Sequence, residues 1–501
     1  MSEPAKLPLL VEVGCEEIPA RFLEDAQTGF AKNLEAALRE ARLLGESEPS
    51  VESYSTPRRL LVRVPELLET QPDKVEEILG PPVHVGLDQN GKPTRAAESF
   101  AEKNGAKVKE LRKVTTPKGE YLALKKTTRG QPAIDLLPGI LTTAVTTLSF
   151  PKSMYWVGKS GPRFIRPIRW LLALLGEGKQ ARVVPFEIAA VKSGNQTYGN
   201  RTAGKNPITV QGLDDYSKKL RTAQVEFIPE QRLEWMMYEV KELLEGLSLR
   251  AVEDKWLEKW FVNSTEWPKP LLGQFDERFL RLPREVLVTV MRDHQKYFAV
   301  EDQQGKLQPR FVAILNRTDD SKGLIRQGHE RVLAARFTDA EFFWDADQKV
   351  PLRDRREILE KVTYEAELGS YGEKIRRMRS LASLVCRLLE SAGRLTPEQT
   401  KDVLESVQLS KCDLTTQMVQ EFPELQGVVG GLYAGAQGEN PQVADAIYDH
   451  YLPVGFEDRV PRGVVGAVVS LVDKMDSVAG GFAVGREPSG SSDPFALRRR
   501  G

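Results

Sequence analysis

From about Asp319 onward nearly every window of this chain carries helical periodicity, whereas the stretches before it alternate between strand-like and helix-like patterns. Apolar residues recurring every three or four positions bury one face of a helix; strict alternation buries one face of a strand. Residues 7–14 read as a strand, and Pro19 to about Leu43 as an amphipathic helix with Phe22, Phe30, Leu34 and Leu38 on one side. Val51–Tyr54 and Arg59–Val64 read as two further strands. Beyond them the pattern predicts a helix over Pro93–Ala106, a hairpin turning at Pro117-Lys118-Gly119, and a helix over Ile134–Thr147. A strand at Ile208–Val210, a mainly helical Leu213–Leu247 and strands at Tyr297–Val300 and Phe311–Leu315 follow. The expected fold is α+β and multidomain. Its parts are a β-α-β-β module (1–70), an α/β module (71–206), a helical plus mixed α/β module (207–318) and an all-helical domain (319–501). A length of 501 residues, too great for a single core, agrees with several domains.

Charge is balanced overall, 71 basic against 71 acidic residues, so nothing draws the whole surface toward nucleic acid. Its distribution is uneven. Between Pro151 and Asn206 stand ten Lys or Arg and only two acids, Glu177 and Glu187, a local excess of eight positive charges. Within that segment RFIRPIRW sets Arg163, Arg166 and Arg169 three residues apart, close to Tyr155, Trp156 and Trp170. Guanidinium forks pair with phosphates, and aromatic rings stack on unpaired bases. Lys152, Arg163, Arg166, Arg169, Arg201 and Trp156 are therefore candidate RNA contacts. In the competing reading Phe164, Ile165, Ile168, Trp170 and Leu171 are core, and the arginines form a solvated edge.

Other chemistries find little support. Cys15, Cys386 and Cys412 lie far apart with no C-x-x-C pair, which fits a reducing compartment and no disulfide framework. No apolar run reaches the roughly 18–20 residues of a membrane span, and MSEPAKLPLL lacks a signal peptide's apolar core, so a cytoplasmic protein without a membrane partner is expected. The four histidines, His84, His294, His329 and His450, lack the three-to-five-residue spacing of a helical zinc site. His294 reads as a structural histidine beside a strand, and His450, in DHYLP, as a surface or capping residue before a turn. GNRTAGK at Gly199–Lys205 matches the core of a phosphate loop, but Asn206-Pro207 and a strand follow instead of Ser or Thr and a helix. It reads as a glycine-rich surface turn.

Leu409–Ala434, LSKCDLTTQMVQEFPELQGVVGGLYA, resembles the central helices of HD-type phosphohydrolases. Those enzymes hold divalent metals on a His-Asp pair and a His-Pro-Glu segment. Here Cys412-Asp413 stands in the first place, Phe422 precedes Pro423-Glu424 in the second, and Asp473 falls where the last ligand is expected. Phe422 cannot bind a metal, and two aspartates with one thiol do not suit the metals such enzymes use, so no metal is expected. Asp413 and Asp473 then survive as hydrogen-bonding core groups, as parts of a binding pocket, or as remnants of hydrolysis; Cys412 reads as a buried hydrophobe whose pKa the adjacent Lys411 could lower.

The same stretch, with LLVEVGCEEIPARF, YSTPRRLLVRV, LSFPKSMYW, RFIRPIRWLLALLG, DHQKYFAV, RVLAARFTDAEFFWDAD, LVDKMDSVAGGF and DPFALRR, resembles the beta subunit of bacterial-type tetrameric glycyl-tRNA synthetase. These blocks are ordered along essentially the whole chain. The resemblance implies an all-helical degenerate HD-like domain after the N-terminal and central α/β modules. It also implies a chain without its own catalytic site or cofactor, which binds and positions tRNA(Gly) and completes an α2β2 enzyme. ATP and Mg2+ are then used at the alpha subunit. No adenylate-forming motif is evident; GGFAVGR at Gly480–Arg486 lacks the partner motifs of a class II site and reads as a helix end with a glycine cap. The family continues into a helical anticodon-binding domain, so the stop after DPFALRRR is expected to be a truncation that weakens tRNA binding. An HD-type metal-dependent phosphohydrolase acting on nucleotides and a non-catalytic scaffold protein are the alternatives.

Overall fold

A computed structural model describes residues 5–45, 51–159, 161–204, 206–317, 320–455, 457–488, 493 and 497–500. The protein is mixed α/β with several sheets. Two compact units divide it, each discontinuous in sequence: Met1–Met237 with Glu258–Lys269 and Leu315–Thr318, and Tyr238–Leu257 with Pro270–Ile314 and Asp319–Gly501.

A seven-stranded sheet organises the first unit, running Glu187–Ile188, Val191–Gly194, Ile168–Leu175, Lys6–Cys15, Arg59–Leu68, Glu52–Thr56, with Arg182–Val183 also paired to Ile168–Leu175. Alternation decides what each face touches. Leu9, Val11 and Val13 join Leu60, Val62, Val64, Leu171 and Ala173 under the helices Ala20–Glu40 and Ala133–Thr146, which contribute Phe30, Leu34, Leu137 and Leu141. The opposite face sets Leu10, Leu61, Leu172 and Leu174 against Val210, Tyr216, Leu220 and Phe227. The segment IRWLLALL is thus a central strand, and its apolar run is explained by cover on both faces.

At the end of the central strands the second face turns polar. Gly14 pairs with Trp170, and a Cβ on Gly14 would lie 1.8 Å from the indole, so only glycine lets the ring cross the strand there. Beside it Arg59 is fully buried between Glu12 and Glu266, 3.0 Å from each carboxylate, and it also donates to Thr56, Thr197 and the Tyr198 carbonyl. A separate three-stranded sheet joins Lys74–Pro82, Gly119–Thr128 and Leu111–Thr116. The expected hairpin closes at Gly119, φ +122°.

The second unit holds a four-stranded sheet, Leu249–Ala251, Phe298–Asp302, Leu307–Leu315 and Lys269–Gln274 in that order, and the long helices Leu324–Asp347, Tyr371–Ser391, Pro397–Leu409 and Gly463–Ala483. Capping boxes at Ser370/Glu373 and Thr396/Gln399 start the second and third of these helices. Among the described residues the stretch expected to be all-helical contains a two-stranded ribbon, Thr363–Glu365 with Gly369–Ser370, because Gly369 at φ +84° reverses the chain before the Ser370 cap.

Candidate functional site

The basic segment lies in the first unit, and its side chains have distinct surroundings. Lys152, Arg163 and Tyr155 are exposed, with the Arg163 guanidinium 5.4 Å from the Tyr155 ring. Trp156 is half-buried against the main core, so Tyr155 is the ring left open for stacking. Arg166 donates to the carbonyls of Glu17 and Ile165, both at 3.0 Å. Arg169 pairs with Glu16 at 2.8 Å; Arg201 pairs with Glu16 and, at 3.6 Å, with Glu17. Burial works against the Glu16 carboxylate, but the hydrogen bonds from Arg169 and Arg201 outweigh it and hold its carboxyl below the usual range. Acids from a distant segment therefore neutralise part of the strip, a pairing that counting charge between Pro151 and Asn206 cannot reveal. Phe164, Ile165, Ile168, Trp170 and Leu171 are all buried.

The sequence-singled positions of the helical unit separate into different cores. Cys412 packs with Leu352, Leu409, Ala434 and Ile447, whereas Phe422 sits among Met418, Leu425 and Phe337 with its ring edge-on to His294 at 4.9 Å. Among the described residues no group of three His, Cys, Asp or Glu side chains is arranged to hold a metal ion. Asp413 is buried and accepts the Gly427 amide at 2.5 Å; burial pushes its carboxyl up to about 6.

Asp473 belongs to a buried charge cluster that residue-by-residue reading missed. The Lys411 ammonium lies 3.0 Å from Asp473 and 2.8 Å from His450 Nε2, over the Tyr451 ring at 3.8 Å. Lys374 lies 3.0 Å from both Asp473 and Asp476 and donates to Ser477 at 2.9 Å. Burial opposes the Asp473 carboxylate, yet the two ammoniums outweigh it and hold its carboxyl far below the usual range. Two expectations are corrected here. His450 caps the C-terminus of the helix Pro441–Asp449, as one of the two readings had it, but it is fully buried and not on the surface, because Lys411 and the Ile447 carbonyl (2.6 Å) satisfy both ring nitrogens. Lys411 does not activate Cys412: its ammonium faces Asp473 and His450, and burial, followed by the Asp413 charge, pushes the thiol up to about 12. A signal did exist. Lys374 lies on the buried stripe Lys374, Met378, Ala382, Cys386 of its helix, and a cation on an apolar stripe requires a buried anion.

The family model for the glycyl-tRNA synthetase beta subunit matches residues 9–501. The chain belongs to that family. It is 44% identical over 498 residues to the glycine–tRNA ligase beta subunit of Acidobacterium capsulatum, covering 98% of this chain and 69% of that relative. The beta subunit of Syntrophus aciditrophicus is 41% identical over 493 residues (98% and 69% covered), and that of Halalkalibacterium halodurans 41% over 496 (99% and 70%). As a glycyl-tRNA synthetase beta subunit the chain is one part of an aminoacyl-tRNA synthetase, a ligase. No helix among the described residues is long and apolar enough to cross a membrane.

The cluster gives this beta subunit a pH signature. Burial first, then the Lys411 charge, depresses His450 to about 3. An unfolded histidine titrates near about 6.5. The unfolded state therefore binds the extra proton, and the stability contributed by neutral His450 is lost as pH falls below about 6.5, by about 2 kcal/mol at pH ~5. Asp413, raised to about 6, acts in the opposite sense between about 6 and 4. His450→Gln, which keeps an acceptor for Lys411, should remove about 2 kcal/mol of acid sensitivity between pH ~7 and ~5 in urea titrations. An unchanged acid limb in the variant refutes this role.

Proposed function

We propose that this chain binds and positions tRNA(Gly) and completes an α2β2 glycine–tRNA ligase in the cytoplasm, whose alpha subunit uses ATP and Mg2+ to activate glycine. The observation that carries the tRNA contact is the exposed run of Lys152, Arg163 and Tyr155, continued by Arg166, Arg169 and Arg201, on a protein with no net charge overall. A cation beside an open aromatic ring suits a phosphate next to an unstacked base. Trp156 serves as the backing of this surface. The helical part after residue 319 is read as a degenerate HD-like domain: Cys412, Asp413, Phe422 and Asp473 take the ligand positions, two lysines neutralise Asp473, and the Gly427 amide holds Asp413. Its role is that of a scaffold. The finer division at residues 70, 206 and 318 belongs to the same reading.

Salt dependence tests the contact. In complex with the alpha subunit, Lys152→Ala and Arg163→Ala should each weaken tRNA binding and flatten the dependence of log affinity on log salt by about one unit. Arg166 is held by two carbonyls and should give a smaller change on replacement by Ala. Unchanged affinity and slope in folded Lys152→Ala and Arg163→Ala proteins would reduce the strip to a solvated edge.

A further inference from the structure

The glycine-rich turn Gly199–Gly204 borders a surface cavity of ≈ 340 Å³ in the first unit, lined by Glu16, Arg58, Tyr198, Gly199, Arg201 and Gly204. Its cations are positioned in advance. Arg58 donates to the Gly199 carbonyl at 3.0 Å, lies 3.5 Å from Glu266 and packs over the Trp170 ring at 5.4 Å, while its buried Nε has no hydrogen-bond partner among the described residues. Tyr198 leans on Trp170 with ring centroids 5.0 Å apart, which fixes the aromatic wall. The backbone can approach a ligand closely: Gly204 sits at φ +143°, and nothing lies within 4 Å of where its Cβ would be.

The lining narrows the ligand class. A bare anion would meet the Glu16 carboxylate as well as the two guanidiniums, and like charge opposes it. The ligand must bring an anionic group and also a hydrogen-bond donor for Glu16. The cavity, ≈ 340 Å³, falls at the small end of the roughly 300–1,000 Å³ range of small-molecule pockets, and a free amino acid such as glycine would leave most of it unfilled. A nucleotide meets all three demands, with phosphate, a donor edge on base or ribose, and a flat face.

Resting on the tRNA reading above, we infer that this cavity receives one unstacked nucleotide of the tRNA. Its phosphate lies at Arg58 and Arg201, and a base amine or ribose hydroxyl donates to Glu16. Single-stranded ends and loops present nucleotides in this form.

The test uses the chain assembled with its alpha subunit and, as probes, the four nucleoside 5′-monophosphates, inorganic phosphate and glycine. At least one nucleotide should bind saturably and about tenfold tighter than inorganic phosphate, and tRNA should displace it. Glu16→Gln, a partly exposed position where folding is not at stake, should weaken the bound nucleotide without weakening inorganic phosphate; Arg201→Gln should weaken nucleotides and inorganic phosphate together. Equal affinity for inorganic phosphate, competition by glycine, no saturable binding up to millimolar nucleotide, or nucleotide binding indifferent to tRNA would each overturn the assignment. Arg163 does not line the cavity. A flattened salt slope in Arg163→Ala alongside any of those outcomes keeps the tRNA reading and removes only the pocket.

Discussion

Lys411→Met should lower the thermal midpoint of the helical unit by roughly 10 °C, the equivalent of about 3–5 kcal/mol. Methionine fills the volume of the lysine stem but supplies no charge. Asp473 then retains Lys374 as its only cation partner in the cluster, and Lys374 must also serve Asp476. His450 Nε2 loses its donor, and the Tyr451 ring loses the cation above it. Removing one partner from a buried pair is costly because the other charge stays buried; removing both leaves no such debt. Lys411→Met combined with Asp473→Asn should therefore recover much of the loss, since Lys374 still has Asp476, which Arg377 also holds at 2.7 Å. Circular dichroism melting of the three proteins decides the matter. A double variant less stable than Lys411→Met would show that shape, not charge, governs the site.

Arg59→Met is expected to be as damaging in the first unit, by about 3–5 kcal/mol, and more so at alkaline than at acidic pH. It would leave Glu12 and Glu266 facing each other in a site with no exposure to water. Burial already raises the Glu12 carboxyl above its ordinary range, against the pull of Arg59. Without Arg59 that rise grows. A carboxyl with a raised folded pKa stabilises the fold below its unfolded pKa, and this stability is lost as pH climbs through the folded value. Urea midpoints of the variant should accordingly improve from pH ~8 to pH ~5 relative to the parent. Arg59→Lys, which restores one charge but not the fork to Thr56, Thr197 and Tyr198, should fall between them. The opposite pH trend would mean that the two carboxylates gain water or a proton from elsewhere.

What could be read from sequence followed the reach of its interactions. The strand Lys6–Cys15 and the helix Ala20–Glu40 carry their burial in their own periodicity, and both lie close to where alternation and three-to-four spacing put them. Lys74–Pro82 went unseen because an edge strand with a mostly exposed, charged sequence ending in two prolines has no apolar period to detect. At the candidate sites the same rule holds. Buried Phe164, Ile165, Ile168 and Trp170 were legible as possible core, but the Glu16 carboxylate that pairs Arg169 and Arg201 stands 153 and 185 residues away from them. The surface reading of His450 failed, although its capping reading held, because its partner Lys411 is 39 residues distant and a histidine before a turn looks exposed until that lysine is in place. That Phe422 offers no metal-ligating atom is legible from its side chain alone.

The interleaving of the two units sets an order on biosynthesis. Arg59 leaves the ribosome 207 residues before Glu266, its second carboxylate. Asn316, which accepts the Glu266 and Trp267 amides, emerges later still. At about 5–20 residues per second, the nascent N-terminal sheet waits about 10–40 s with half of its internal charge balance unsynthesised. Ribosome-bound chains arrested before Glu266 should therefore be open to protease around Arg59, and a gene split after Met237 should yield a first half that cannot close its core. Completion of the first unit is in this sense a late event of translation, although most of its sequence is made first.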